Sequence, residues 1–197
     1  ARDKITPRDR EQITRPRDTE RITFRSWRPE DEALALALWG DPRVTGFIDA
    51  RPKLDVAAVR ERLAAEIAGE RAHGIQYWPI FKRATGERDP EHAVGPHLGC
   101  CGLRPHDPPR RIIELGVHLR PEHWGQGFAT EASRSAIAHA FTQLGAHALF
   151  AGHHPENTAS KHTLERLGFR RTGVVLYPPT GLLHPAYLLE RRAAGES

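Results

Sequence analysis

The chain of 197 residues contains no methionine, position 1 included, so its first residue is expected to be a trimmed or processed end. It has only two cysteines, Cys100 and Cys101, and they are adjacent. Neighbours in an extended segment point to opposite faces, and a disulfide between them needs a strained turn. Two buried thiols in a reducing compartment are therefore expected, and a disulfide framework is excluded. No run approaches the roughly 20 apolar residues of a membrane helix, and the opening Ala1-Arg2-Asp3-Lys4 lacks the apolar stretch of a secretory signal. The expectation is a soluble cytoplasmic protein with no membrane partner. A net field is also missing from most of the molecule. The formal charge is +4, yet residues 1 to 28 hold nine basic and five acidic side chains, and the remainder holds 20 of each. A neutral body has no long-range attraction for a polyanion, so a nucleic-acid partner is not expected. The 12 histidines lack ligand spacing. His153-His154, with His147 and His162 nearby, would diverge on a strand, and no His-x-x-x-His with an acid occurs. Scattered surface histidines and no metal are expected.

What is present is 39% hydrophobic and 27% charged residues, the balance of a soluble globular domain. Residues 1–18 are rich in Arg and Asp without apolar periodicity and are expected to form a flexible extension, disordered or draped on the surface, because they hold too few apolar groups to offset the entropy of ordering them. A domain is expected over 19–192 and a short tail over 193–197. Ile22 and Phe24 alternate as in a strand, and Pro29-Glu30-Asp31 suits a helix start before Leu34 to Trp39. Asp55 is a candidate N-cap for a helix through Val59, Leu63 and Ile67, ended by Gly69 or Gly74. Strands are predicted over 75–82, 94–103 and 111–119, with a polar excursion over 84–92. A helix over 127–144, a strand over 148–152, a helix over 158–167 and strands over 169–176 and 185–190 follow. The order is mixed α/β, neither a regular alternation nor a repeat array.

The informative stretch runs from Ile113 to Ala132. Gly125, Gly127 and Ala129 open a helix directly after a strand and a short loop, and such a start leaves backbone N–H groups free to bind an anion. A Walker loop needs Gly-Lys-Ser/Thr there, and the chain has Gly127-Phe128-Ala129. A dinucleotide fingerprint needs Gly or Ala where Thr130 stands, and an acid near the apolar segment around Phe150.

Four segments carry a resemblance: Thr19 to Arg25 with Trp27-Arg28-Pro29-Glu30-Asp31; Trp39-Gly40-Asp41-Pro42-Arg43-Val44; Glu114-Leu115-Gly116 with Arg120 to Ala132; and Asn157-Thr158-Ala159-Ser160 through Leu167-Gly168-Phe169. In this order they resemble the GNAT N-acetyltransferases, and within them the RimJ/RimL type, over roughly residues 19 to 190. The wider superfamily commonly has Gln or Arg where this chain has Trp124, which narrows the branch. The resemblance implies a single α/β (mixed α+β) domain with a central, mostly antiparallel, splayed sheet flanked by helices. It implies acetyl-CoA as cosubstrate, with the pantetheine arm against backbone groups of Val117, His118 and Leu119. The pyrophosphate would meet Trp124, Gly125, Gln126, Gly127, Phe128, Ala129 and Thr130, and Asn157 and Ser160 would lie near the sulfur.

Acetyl transfer to an amine needs a neutral nucleophile, stabilisation of charge on the thioester oxygen and a protonated leaving thiol. A backbone N–H near Val117 to Leu119 suits the second requirement. Glu114 is the candidate base, directly or through water; the alternative is a strand residue paired with Arg104 or Arg111. Ser160 is the candidate donor to sulfur, since Leu164 stands where other branches place tyrosine; the alternative is helix capping. His118 and His123 are expected as pH-sensitive contacts beside the loop. No covalent nucleophile is visible, so direct attack in a ternary complex is expected on a primary amine of a protein N-terminus, amino acid or small molecule. The protein is expected to be a monomer or homodimer. The alternative is a catalytically idle coenzyme sensor or interaction module of the same fold.

Overall fold

The computed structural model describes residues 14–84 and 94–191. Seven strands form one sheet in the order β1-β2-β3-β4-β5-β7-β6. These are β1 (Ile22–Phe24), β2 (Tyr77–Arg83), β3 (Val94–Asp107), β4 (Ile112–Leu119), β5 (Ala148–Gly152), β6 (Arg170–Tyr177) and β7 (Leu182–Glu190). Every neighbouring pair is antiparallel except β4 with β5. Among the described residues the α-helices are α1 (Glu32–Trp39), α2 (Pro42–Thr45), α3 (Val56–His73), α4 (Phe128–Thr142) and α5 (Thr158–Arg166). The polar excursion expected over 84–92 lies, apart from Ala84, outside the described residues, as do residues 1–13 and 192–197.

The helices form where the local signals place them. Asp55 accepts the Ala58 N–H at 2.8 Å and caps α3, a contact worth about 1 kcal/mol, and Gly74 ends it in the left-handed conformation. One core lies under α4 and α5 and includes Phe24, Trp78, Leu98, Leu103, Leu115, Phe128, Leu149 and Leu164. The other, under α1 and α3, includes Trp27, Leu38, Trp39, Val59, Leu63 and Tyr77. The alternation of side chains along a strand divides the adjacent cysteines between them: Cys100 enters the second core and Cys101 the first. Both are free and buried, and burial pushes both thiols up. Neither is a thiolate nucleophile at neutral pH.

One expectation needs correction. Five histidines are buried rather than on the surface: His97, His139, His153, His154 and His184. They pack on aromatic neighbours, as Trp78 on His139 and Tyr187 on His153, and no metal-holding group forms among the described residues. Of the expected extension, residues 14–18 are described, and they lie against the body. Pro16 is buried, the Arg17 carbonyl accepts the Ser135 hydroxyl at 2.5 Å, and Asp18 accepts the Phe24 N–H at 2.9 Å. Among the described residues, no helix is long and apolar enough to cross a membrane.

Candidate active site at the fork of the sheet

β4 pairs with β5 only from Ile112 to Glu114, opposite Ala148 to Phe150. Beyond Glu114 the two strands part, while β4 stays paired with β3 as far as Leu119. Arg120 donates its N–H to the Leu98 carbonyl, which fixes His118 and Cys100 as a pair that exchanges backbone hydrogen bonds. Val117 and Leu119 therefore turn their N–H and C=O groups away from β3, toward the gap. The Leu119 carbonyl is already taken by the Trp124 indole N–H at 2.9 Å. What faces the gap is the open backbone of Val117 and the Leu119 N–H.

His118 does not contribute there. Its backbone is spent on β3, and its ring accepts the Trp39 indole N–H at Nδ1, 3.2 Å away, beside the Cys100 sulfur at 3.7 Å. Burial, with Arg62 and Arg104 nearby, holds it well below the usual histidine range. The expected pH-sensitive contact is thus a half-buried, neutral ring held against Trp39 and Tyr77. His123 is set edge-on to Phe128, ring centroids 6.3 Å apart.

At the far side of the loop, Gly127 sits at φ 82° as the N-cap of α4, with no side-chain cap. A side chain is disfavoured there, and among the described residues no side chain caps the first-turn N–H groups, which is the geometry that receives an anion. Trp124, Gly125 and Gln126 are exposed in the same turn, Ala129 and Thr130 are half-buried, and Phe128 is 2% exposed and anchors the helix in the core. Arg21 braces the loop. It donates to Glu131 Oε2 at 2.7 Å and to the Gln126 carbonyl at 3.1 Å, and its guanidinium carbon lies 4.4 Å above the Phe128 ring. The sequence offered no signal for that brace, since Arg21 and Glu131 are 110 residues apart.

Glu114 stands at the fork itself. Arg104 is its cross-strand partner on β3, and Tyr77 donates its phenol O–H to Glu114 Oε1 at 3.3 Å. Tyr77 reaches it by passing under Gly116, where an added Cβ would lie 2.2 Å from the ring. Arg104 stacks on that ring at 3.9 Å and pairs with Glu66, which also accepts the Tyr77 backbone N–H at 2.8 Å. Burial raises the Glu114 carboxyl above its ordinary value; Arg104, His106 and the Tyr77 hydrogen bond oppose the rise and do not cancel it. A buried carboxyl with a raised pKa at the edge of an open strand is suited to accept a proton. Of the arginines expected beside it, Arg104 lies opposite on β3, but its ion pair is with Glu66.

Asn157 caps α5, accepting the Ser160 N–H at 3.0 Å. The Ser160 hydroxyl makes no hydrogen bond to the described residues and the residue is half-buried, so this oxygen is available to a ligand. The helix-capping alternative falls to Asn157, not to the serine side chain.

A family model described as an acetyltransferase (GNAT) domain matches residues 21–170. The chain belongs to the GNAT acetyltransferase family. The uncharacterized N-acetyltransferase p20 of Bacillus licheniformis is 31% identical over 157 residues, 80% of this chain and 83% of that protein. Among solved structures, an acetyltransferase from Agrobacterium tumefaciens str. C58 aligns with a TM-score of 0.70 at 24% identity, covering 89% of this chain and 94% of the other. RimL, a ribosomal-protein alpha-N-acetyltransferase solved in complex with coenzyme A, aligns at 0.71 and 14% identity over 88% of this chain and 96% of its own. At these identities the structural likeness concerns the GNAT fold, and the expected splayed, mostly antiparallel sheet is the one found.

Proposed function

We propose that this GNAT protein is an acetyl-CoA-dependent N-acetyltransferase of the RimJ/RimL type that acetylates a primary amine by direct attack in a ternary complex. The observation that carries the proposal is the coincidence at one fork of an open β4 edge, an uncapped glycine-led helix start and a raised carboxyl at Glu114. The residues fit the coenzyme: an extended arm can pair with the Val117 and Leu119 backbone as a peptide pairs with a strand edge, and a pyrophosphate suits the turn from Trp124 to Thr130. Bound acetyl-CoA supplies an activated thioester.

The chain's own groups then do three things. Glu114, ionised above its raised pKa, takes the proton of the ammonium or of the attacking amine, directly or through water. A peptide α-amine with pKa about 8 is partly neutral already, whereas a lysine amine at about 10.4 asks more of the base. An outward N–H of β4 faces the charge that develops on the thioester oxygen. The Ser160 hydroxyl donates toward the leaving sulfur. Two free buried thiols agree with a reducing, cytoplasmic setting.

The test is a coenzyme-release assay with peptides, amino acids, polyamines and aminoglycosides, run beside thermal unfolding with acetyl-CoA. Acetyl-CoA is expected to raise Tm, and at least one amine to release coenzyme. No change in Tm at saturating acetyl-CoA would refute the binding reading. Ser160→Ala is expected to lower kcat about tenfold or less, because a thiol with pKa about 8.5 leaves without much help. A larger loss, or one that grows in KM for acetyl-CoA instead, would move Ser160 from proton donor to binding contact.

A further inference from the structure

Arg62 lies on α3 one turn before the buried Glu66, on the side of the helix that also buries Val59 and Leu63. Its guanidinium carbon sits 4.9 Å from the Trp39 ring centroid, and Trp39 is the residue that donates to His118 on the open half of β4. The Nε of Arg62 is shut off from solvent with no acceptor, while the side chain as a whole is half-buried. The acids around it are committed elsewhere. Asp49, which feels its charge, is bound by Arg51 at 2.8 Å, and Glu66 is bound by Arg104 and the Tyr77 N–H. The other arginines around the site have acids of their own: Arg21 has Glu131, Arg43 has Asp41, and Arg120 has Glu122 although its Nε is also buried without an acceptor. The phenol of Tyr177, at the end of β6, feels the charges of Arg62, Arg104 and Glu114.

The sealed Nε leaves the guanidinium charge uncompensated, and the Nη end of this half-buried side chain offers a carboxylate a matching fork. We infer that Arg62 receives a carboxylate of the amine acceptor, so that the substrate class is an amine carrying a carboxylate set apart from the reacting nitrogen. This rests on the transfer reading above and names its acceptor. Side chains separate the Glu114 carboxyl from Arg62: Tyr77 is hydrogen-bonded to Glu114 at 3.3 Å and set edge-on to the His118 ring at 5.6 Å, and His118 accepts from Trp39, on which Arg62 lies. An amine at Glu114 and a carboxylate at Arg62 are therefore further apart than the amine and carboxylate of a single α-amino acid. A short peptide or an ω-amino acid sets the two groups further apart.

The test offers ω-amino acids from β-alanine to 6-aminohexanoate, and dipeptides, each as free carboxylate and as carboxamide, to the wild type, Arg62→Gln and Arg62→Lys. The wild type is expected to favour the carboxylate by about tenfold or more in kcat/KM, mainly through KM, as befits a charge-assisted contact. Arg62→Gln should bring the ratio near one, and Arg62→Lys should leave part of it. A purely structural role on Trp39 would lower both forms alike and keep the ratio. An acetyl-CoA-induced rise in Tm in each variant shows that the fold is intact. Equal use of both forms by the wild type, or a ratio that survives Arg62→Gln, overturns the inference and leaves acetyl transfer standing. No release from any amine, in protein that acetyl-CoA still stabilises, overturns both.

Discussion

Glu114→Gln is expected to reduce kcat for amine acetylation by about 10² to 10⁴ while the acetyl-CoA-induced rise in Tm persists. The substitution keeps the shape and a hydrogen-bond acceptor for the Tyr77 hydroxyl but removes the only function assigned to the carboxylate, accepting a proton. Steady-state rates with an excess of acceptor, alongside thermal unfolding with and without coenzyme, check it. An idle sensor would show no wild-type turnover to lose. The pH profile sharpens the point. Burial raises the Glu114 carboxyl in the folded protein, so the acid limb of kcat/KM should lie above the ordinary carboxylate value of 4.5 and disappear in the variant. The linkage has a definite sign. Because the folded state holds this proton more tightly than the unfolded chain, stability falls as pH rises from the unfolded value through the folded one. At neutral pH the ionised side chain is a burden on the fold, and the glutamine variant should unfold no earlier than the wild type. If it instead unfolds clearly earlier at neutral pH, the pair with Arg104 dominates and Glu114 is structural.

Much of the architecture was legible because its signals are local. Asp55 and Gly74 bracket α3 within one turn of their own positions, and β5 over Ala148–Gly152 is a short β-prone run between a glycine-ended helix and a turn. The four-residue α2 over Pro42–Thr45 gave no period to read, and it forms because Asp41 accepts the Arg43 N–H at 2.9 Å ahead of a proline. Two strands are longer than expected, β3 reaching Asp107 and β7 beginning at Leu182, because ladder partners extend a strand past its own hydrophobic run. The candidate site was legible where chemistry follows chain order, as from Glu114 through Gly127, and illegible where it depends on the tertiary crossing. Tyr77 meets Glu114 only because Gly116 leaves room under β4, and Arg21 reaches Glu131 only because β1 lies beside α4. The fate of His118 is the same lesson in reverse: its place next to the loop in sequence says nothing of which face of β4 it occupies. Nor do residue types reveal that the histidines fill gaps between aromatic rings, as His97 does between Trp27 and Phe81.

Gly127→Val is expected to abolish the acetyl-CoA-induced rise in Tm and to weaken acetyl-CoA by about 100-fold or more, as read by calorimetry. Two effects combine. At φ 82° a β-branched residue is strained, by about 1–2 kcal/mol or more, and the turn relaxes out of the left-handed region. The added Cβ also meets Arg21 Nη2 at 3.4 Å, on the residue that holds the Gln126 carbonyl and Glu131, so the branch atoms crowd the brace as well. Since the first-turn N–H groups bind an anion only while they converge, a modest shift of this turn removes a large share of affinity. At 100 times Kd a ligand stabilises by about 2.7 kcal/mol, which falls to roughly 0.4 when Kd rises 100-fold. Gly74→Val is the control, because Gly74 has φ 72° at the end of α3, nothing lies within 4 Å of its Cβ position, and it is far in sequence from the coenzyme loop. It should lower Tm by a comparable strain and keep the full response to acetyl-CoA. If both variants lose the response, strain at a helix end is propagating through the fold; if Gly127→Val keeps it, the start of α4 is not where the coenzyme binds.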